Sequence, residues 1–146
     1  MRAGLCVLLA VSALALTGAA LSADDPVAAR QRLMKENGAA SKLVSSMVKG
    51  GTPFDATAAA AALNKIADDM VIFPGLFPPG SDSAPKTTAS PDIFTNIDDF
   101  KELAAKLGSD ARAAATAAAH GPATLAAAFS AVGQDCGACH RKYRTE

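Results

Sequence analysis

The amino-acid sequence predicts an all-α protein, an antiparallel four-helix bundle with a long crossover loop between helices 2 and 3. Half of its 146 residues are hydrophobic, but many of these are alanine and only 5% are aromatic, a composition that favours helix over sheet. Apolar residues recur alternately three and four apart in both C-terminal helical segments. A proline-rich segment divides the helical sequence near its middle, and such a long connection between helix pairs is typical of a bundle with a crossover.

The N-terminal segment is predicted to be an export signal. Arg2 supplies the basic start, an apolar run of twelve residues covers 5–16, and the small residues of GAALSA offer a cleavage site. Because the apolar run is shorter than the roughly 20 residues that a spanning helix needs, we expect no membrane span in the mature chain. We assign residues 1–23 to the signal peptide, with a cut after Ala20 as the alternative, and residues 24–146 to a periplasmic four-helix-bundle domain.

The charge and cysteine content narrow the function classes. Cys6 lies within the predicted signal, so the exported chain keeps Cys136 and Cys139 alone, in an oxidising compartment. The 14 basic residues of the sequence become 13 once Arg2 is removed with the signal, against 14 acidic residues. A chain so close to neutral has no field of one sign around it, and binding to nucleic acid is therefore not expected.

Helices 1 and 2 are delimited by capping signals. Asp25 followed by proline predicts an N-cap and a first helical residue, and a pair of glycines predicts the end, so helix 1 covers about 26–49. The stretch TPFD repeats the start signal, with Thr52 as the cap and an acid three residues later. Helix 2 should run from there to about Ile72, just before a proline.

The crossover loop is the least regular part of the sequence. Residues 73–95 contain five of the eight prolines, so they cannot form one regular element. Helix 3 is predicted to begin between Pro91 and Asn96 and to end at the His-Gly-Pro stretch that starts at residue 120. Its apolar stripe has the alternating spacing of a bundle helix and comprises Ile93, Ile97, Phe100, Ala104, Leu107, Ala111, Ala114 and Ala118.

Helix 4 carries the residues with the most distinctive chemistry on its core-facing stripe. The stripe comprises Leu125, Phe129, Val132, Cys136, Cys139 or His140, and Tyr143. Arg141, Lys142 and Arg144 follow at the C-terminal end, where the helix dipole favours cations. The two cysteines and the histidine are thus expected to face the interior of the bundle.

Residues 136–140, with the sequence CGACH, form the attachment pattern of c-type haem. In that pattern two thiols add to the vinyl groups of the porphyrin and the adjacent imidazole binds the iron. Helical positions i, i+3 and i+4 lie on one face, so Cys136, Cys139 and His140 can approach the same side of one flat macrocycle. We predict one covalently bound haem c per chain, with Cys136 and Cys139 holding the cofactor and His140 as an iron ligand.

Three other interpretations of the same residues remain open at this point. A reactive dithiol would place its cysteines at a helix N-terminus beside a strand, whereas these lie near a helix C-terminus in a chain without a strand pattern. Structural zinc needs four ligands, and outside the cluster the exported chain offers only His120 as a further histidine or cysteine. A disulfide between positions i and i+3 closes a loop too small to stabilise the fold much.

Four segments resemble the class II c-type cytochromes, the family of cytochrome c prime and cytochrome c-556. They are RQRLMKENG at 30–38, VKGGTPFD at 48–55, FPPGSDSAPKTTASPDIF at 77–94 and CGACHRKYR at 136–144. The likeness extends over residues 24–146. Members of that family are exported four-helix bundles with a C-terminal haem site, so the resemblance implies the same fold, cofactor and compartment here.

The resemblance also implies roles for two residues of helix 1. Met34 matches the position that faces the distal side of the haem, where the c-556 branch has a methionine ligand and cytochromes c prime have a non-bonding, usually apolar residue. Thioether sulfur suits haem iron, although a helical methionine is more often plain core. Arg30, one turn earlier, matches a position that approaches a haem propionate, and a solvated surface charge is the alternative.

We therefore expect an electron carrier rather than an enzyme, in which His140 and Met34 hold a low-spin haem that exchanges one electron with a redox partner protein. The sequence offers no evident acid–base pair or substrate pocket. The alternative is a five-coordinate, high-spin cytochrome c prime that binds small gases such as nitric oxide, with Met34 only packed near the iron. Relatives include monomers and dimers, so a homodimer is considered as well.

Overall fold

The computed structural model describes residues 25–145, which form the predicted all-α, antiparallel bundle. Four long helices make up the bundle, and a one-turn helix precedes the third of them. Their bounds are α1 Pro26–Val48, α2 Ala56–Ile72, α3 Asp92–Thr95, α4 Ile97–Ala118 and α5 Pro122–Tyr143. The predicted signal peptide, residues 1–23, lies outside the described residues. Among the described helices, none combines the length and the apolar character needed to cross a membrane.

The ends of α1 agree with the capping signals. The Asp25 carboxylate accepts a hydrogen bond from the Val27 backbone N–H at 2.9 Å, which satisfies one of the free donors of the first turn. After the last turn Gly50 has φ +74°, a conformation that glycine adopts at low cost, and the chain leaves the helix there. The predicted extent of helix 1 is confirmed.

The predicted cap of helix 2 is wrong. Asp55, not Thr52, caps α2, because its carboxylate accepts the Ala58 backbone N–H at 2.9 Å. The Thr52 hydroxyl lies 2.6 Å from the Ser46 hydroxyl and hydrogen-bonds to it instead. Asp55, which the TPFD stretch predicted at the third helical position, is therefore itself the cap. As a result, α2 begins three residues later than predicted.

The crossover between α2 and α4 contains two short helical turns. Phe73–Leu76 forms a 3-10 turn directly after α2, and α3 follows near the end of the crossover. Asn96 leaves the helical conformation with φ −127°, so the single helix predicted for this region is split into α3 and α4. The apolar spacing continued across the break because Ile93, before it, is buried like the core residues of α4.

Small residues bring α2 and α4 close together. Ala59 on α2 and Ala111 and Ala114 on α4 are completely buried. A Cβ atom placed on Gly108 would lie 3.5 Å from the Ala67 carbonyl oxygen, which is van der Waals contact, so a side chain larger than alanine would press against α2 at that position. We call this contact the α2–α4 seam. Its close packing makes it the most continuous interhelical contact of the bundle.

On the side of the bundle away from the α2–α4 seam, the helices leave space between them. α4 also packs along α5, and α1 packs on α2, but α1 and α5 contact each other only sparsely. Aromatic rings line the space between them: the rings of Phe77 and Phe100 lie 4.9 Å apart, and the rings of Phe100 and Tyr143 lie 5.3 Å apart. The helices thus enclose a cavity on this side.

Candidate functional site

The cavity between α1 and α5 has a volume of about 570 Å³. Ligand sites in proteins range from ~300 to ~1,000 Å³, whereas the hole left by a large-to-small core substitution is nearer ~150 Å³. Its apolar lining is drawn from every long helix and from the crossover, and includes Val27, Ile66, Met70, Phe73, Phe77, Ile93, Phe100, Leu103 and Leu107. A space of this size and character suits a large, mainly apolar cofactor.

α5 contributes the predicted attachment residues to this cavity. Cys136, Cys139 and His140 all line it, as expected for helical positions i, i+3 and i+4. Both cysteines are half-buried and carry free thiols, and His140 lines the cavity as an exposed residue at its rim. The helix therefore presents two sulfur atoms and one imidazole to the same space.

The pKa values of these groups bear on the alternative interpretations. Burial raises the pKa of Cys139 to about 11, and burial together with the charge of Asp135 raises that of Cys136. Reactive dithiols have lowered thiol pKa values, so the surroundings argue against that interpretation. Burial, and to a smaller extent Arg144, lowers the pKa of His140, which favours the neutral imidazole that can bind a metal. No set of three or more metal-ligating acids, cysteines or histidines occurs within residues 25–145.

α1 contributes Met34 from the other side of the cavity. Its side chain is half-buried and lines the cavity, one turn after Arg30. Gly38 follows one turn later, and a Cβ atom at that position would meet nothing within 4 Å. A flat group can therefore approach the helix backbone near Gly38, while the Met34 thioether projects beside it.

Arg30 is buried, with only 5% of its surface exposed, although it carries a charge. One guanidinium nitrogen donates to the Ser81 hydroxyl at 3.2 Å, and the other donates to the Ser81 carbonyl at 3.2 Å and to the Thr87 hydroxyl at 3.4 Å. The guanidinium carbon lies 4.5 Å from the centre of the Phe77 ring. No carboxylate of residues 25–145 lies within salt-bridge distance of it, so this buried cation is suited to an anionic partner.

The crossover closes one edge of the cavity because the C-terminus holds it in place. The Ser90 backbone N–H donates to the Tyr143 carbonyl at 2.9 Å, and the Thr145 N–H donates to the Thr88 carbonyl at 2.8 Å. Across the cavity, Gln31 of α1 donates to a crossover carbonyl at 2.8 Å. The crossover is thus tied to both helices that frame the cavity.

Polar contacts also hold α5 against α4. The Tyr143 hydroxyl donates to the Asp99 carboxylate, and Lys142 lies 2.9 Å from the same carboxylate. The hydrogen bond from Tyr143, followed by that from Lys142, lowers the pKa of Asp99. Asp135 immediately precedes Cys136, and its buried carboxylate lies 2.7 Å from Lys106 of α4. These links set the position of the helix segment that carries the thiols.

The structure brings all five predicted site residues to one cavity: Arg30, Met34, Cys136, Cys139 and His140. Sequence reasoning missed Asn37, which is buried, lines the same cavity and has both amide atoms without a hydrogen-bond partner among the described residues. The signal was available, because Asn37 lies three positions after Met34 on the same helical face. The crossover residues Thr87 and Thr88 were missed as well, because their contact partners lie too far away in the sequence to be inferred.

The residues present fit a c-type haem. The cavity is apolar inside and has a buried cation at its crossover edge. Its sulfur and nitrogen donors include two thiols, an imidazole and the thioethers of Met34 and Met70, and imidazole and thioether are established haem-iron ligands. The chemistry of the lining therefore agrees with the attachment pattern found in the sequence.

Comparison with known proteins gives one consistent family. A profile described as Cytochrome C' matches residues 25–144. A cytochrome c-556 of Agrobacterium tumefaciens (strain II Chrys) is 41% identical over 115 residues, which cover 79% of this chain and 93% of the relative. A cytochrome c' of Rhodopseudomonas palustris is 35% identical over 134 residues, which cover 89% of this chain and 88% of the relative.

Solved structures agree with these relatives. Cytochrome c' from Rhodopseudomonas palustris has a TM-score of 0.79 and 34% identity, with 84% of this chain and 97% of that chain covered. An NMR-validated structural model of oxidized cytochrome c556 from the same organism has a TM-score of 0.74 and 29% identity, with the same coverage. The chain therefore belongs to the class II c-type cytochromes, the family of cytochrome c' and cytochrome c-556, and its cofactor is haem c.

Proposed function

We propose that this protein is a periplasmic one-electron carrier in which Cys136 and Cys139 hold haem c covalently and His140 and Met34 are its two axial ligands. The observation that carries the proposal is that the two thiols and the imidazole of α5 line the same cavity as the thioether of α1. Haem c supplies reversible one-electron chemistry at its iron. The protein residues determine which positions on the iron remain open.

Two ligands from the protein suit electron transfer rather than catalysis. His140 is favoured as neutral imidazole by burial, and the Met34 thioether is a soft ligand that raises the reduction potential of haem. If His140 and Met34 both held the iron, they would leave no site on it for a substrate, and we assign no acid or base to the lining. The protein would then exchange electrons with a redox partner protein at its surface.

Arg30 is proposed to pair with a haem propionate. Its guanidinium is buried at the crossover edge of the cavity and is held by neutral acceptors on Ser81 and Thr87. Burial lowers the pKa of Arg30, and the charge of Asp25 opposes this only in part. An anionic group at this edge would offset the cost of the buried charge and would gain a charge-assisted hydrogen bond.

A second function, the binding of small gases such as nitric oxide to a five-coordinate haem, is favoured by one observation. Asn37 places an unpartnered amide on the same face of α1 as Met34. A polar group on the Met34 side would suit a small exogenous ligand better than it suits a thioether. In this case Met34 would pack near the iron without binding it.

A matched pair of methionine variants separates the two functions, since Met34 and Met70 both line the cavity. We expect the purified wild-type holoprotein to have a low-spin optical and EPR spectrum. The Met34→Leu variant should become high-spin because it loses an axial ligand, whereas Met70→Leu should stay low-spin. Leucine nearly conserves the volume of methionine, so neither change should disturb packing strongly.

The same preparation tests attachment and ligation separately. The mass of the secreted protein should include one covalently bound haem. A polypeptide mass alone, from cells with a working haem-attachment system, would refute the roles of Cys136 and Cys139. A wild-type protein that is high-spin at rest, or a Met34→Leu variant that stays low-spin, would refute ligation by Met34; the first result would favour gas binding.

A further inference from the structure

Asn37 carries a buried amide that no residue of 25–145 hydrogen-bonds. Only 9% of its surface is exposed, and neither its Nδ2 nor its Oδ1 atom has a hydrogen-bond partner among residues 25–145. Buried polar atoms in folded proteins are nearly always hydrogen-bonded, because desolvation without compensation is costly. Since Asn37 lines the cavity, a molecule held in the cavity is the natural partner for its amide.

The position of Asn37 on α1 narrows the choice of partner. It lies three residues after Met34 and seven after Arg30 on one cavity-lining face, which places it ~4.5 Å and ~10 Å from them along the helix axis. Arg30 marks the crossover edge, where a propionate is proposed to lie. Asn37 is therefore closer to the proposed iron-facing position of Met34 than to that edge.

The other amide in the cavity lining does not share this environment. Gln31 also belongs to α1, but it is exposed and its Nε2 atom donates to the Lys86 carbonyl at 2.8 Å. Tyr143, another polar lining residue, donates to the Asp99 carboxylate. Asn37 thus combines burial with two amide atoms that the described protein groups leave unpaired.

We propose that Asn37 is the hydrogen-bond partner of a water-sized polar molecule bound beside Met34, and that it determines which small ligands this side of the haem retains. Its amide N–H donates to an accepting atom of that molecule, so ligands with such an atom are held more tightly than ligands without one. The proposal adds a role that the proposed electron carrier does not require. It depends on haem binding in this cavity but not on ligation by Met34.

Carbon monoxide on the reduced holoprotein provides a direct probe. The Met34→Ala background leaves the distal position open whether or not Met34 binds the iron in the wild type. In this background we compare Asn37→Leu with Gln31→Leu, which removes an amide from the same helix and the same cavity. The readouts are the infrared C–O stretch and the rate at which carbon monoxide dissociates.

We expect Asn37→Leu to shift the C–O stretch to higher wavenumber, because a hydrogen-bond donor near the ligand is lost. The dissociation rate should rise about fivefold, the effect of losing one ordinary neutral hydrogen bond. Gln31→Leu should change neither quantity. If Asn37→Leu fails to fold, Asn37→Ala removes the same donor without adding volume and should give the same shift.

An unchanged C–O stretch in both Asn37 variants would overturn the proposal. So would a higher melting temperature of the Asn37→Leu holoprotein with no change in the stretch, because it would mean that the amide has no partner at all. A lower melting temperature with an unchanged stretch would place the partner elsewhere, at a propionate for example, and would also overturn it. A high-spin wild type would refute ligation by Met34 and leave this test intact.

Discussion

The two sides of the bundle are built from different kinds of side chain. Along the α2–α4 seam the buried residues are small, and the helix backbones approach until a Cβ atom at Gly108 would already be in van der Waals contact with α2. Along α1 and α5 the residues that face inward are longer and partly polar, and the helices stand apart around a cavity of about 570 Å³. The difference indicates that one side supplies rigidity and the other supplies room for the cofactor.

The open side is held in shape by polar contacts rather than by close packing. Arg30 links α1 to the crossover, and Lys106 and Tyr143 link α4 and α5. Substitutions on the seam should therefore affect stability while leaving the haem spectrum unchanged. Substitution of the proposed iron ligand Met34 should do the reverse, with Met70 as the control described above. Three further changes test this division, beginning with the largest expected effect.

Leu63→Ala should have the largest effect on stability. Leu63 is completely buried on α2, and truncation of a buried leucine costs about 2–5 kcal/mol of unfolding free energy. Leu43 on α1 is 39% exposed, so Leu43→Ala should cost less than about 1 kcal/mol. Denaturant unfolding of the holoproteins measures both, and the haem spectrum should not change in either. A loss of unfolding free energy below about 1 kcal/mol for Leu63→Ala, or a change of haem spin state in that variant, would contradict this division between a stabilising side and a haem-binding side.

Gly108→Val should have an intermediate effect. A Cβ atom at Gly108 would already touch the Ala67 carbonyl oxygen and the Met70 Cβ atom at 3.5 Å, so the further methyl groups of valine must push α2 and α4 apart. We expect a loss of about 1–3 kcal/mol, measured by thermal unfolding. Gly133→Val on α5 is the matched control, because nothing lies within 4 Å of that position and stability should be unchanged or slightly higher. Equal losses for the two variants would contradict close packing at the seam.

Asp99→Asn should have the smallest effect, and the effect should depend on pH. The pKa of Asp99 is lowered in the folded protein by the hydrogen bonds from Tyr143 and Lys142. A carboxylate whose pKa is lowered on folding stabilises the fold above its unfolded pKa, and this contribution is lost as the pH falls through the folded value. Asp99→Asn should therefore lower the melting temperature near about pH 7, and the difference from wild type should shrink as the pH falls below about 4, the range in which an unfolded aspartate becomes protonated.

The exposed neighbour Asp98 provides the control for that experiment. Its carboxylate is 91% exposed and lies 3.7 Å from Lys101 on the same helix, so Asp98→Asn should change the melting temperature little at either pH. A melting-temperature difference for Asp99→Asn that stayed constant with pH would show that Tyr143 and Lys142 do not stabilise the charged form. It would also weaken the case that polar contacts hold α5 on the open side.

Much of the fold and of the site could be predicted because the signals are local. The cap at Asp25, the proline-rich crossover and the apolar spacing of α4 and α5 each depend on neighbours within a few positions. The spacing of Cys136, Cys139 and His140 places them on one helical face for the same reason. The wrong cap for α2 arose from a contact between Thr52 and Ser46, which the local pattern does not encode.

By itself, the sequence determined the helices, the class of cofactor and the residues that line one face of α5. The physical reason is helical periodicity, which places residues three or four positions apart on the same face. Only the tertiary structure decided that Arg30 contacts Ser81 and Thr87, which are 51 and 57 positions away, and that the crossover closes on the C-terminus. It also decided that Asn37 is buried with no hydrogen-bond partner in the part of the chain that the structure describes. These features depend on how far α1 stands from α5, and that distance results from the packing of the whole bundle rather than from any single segment.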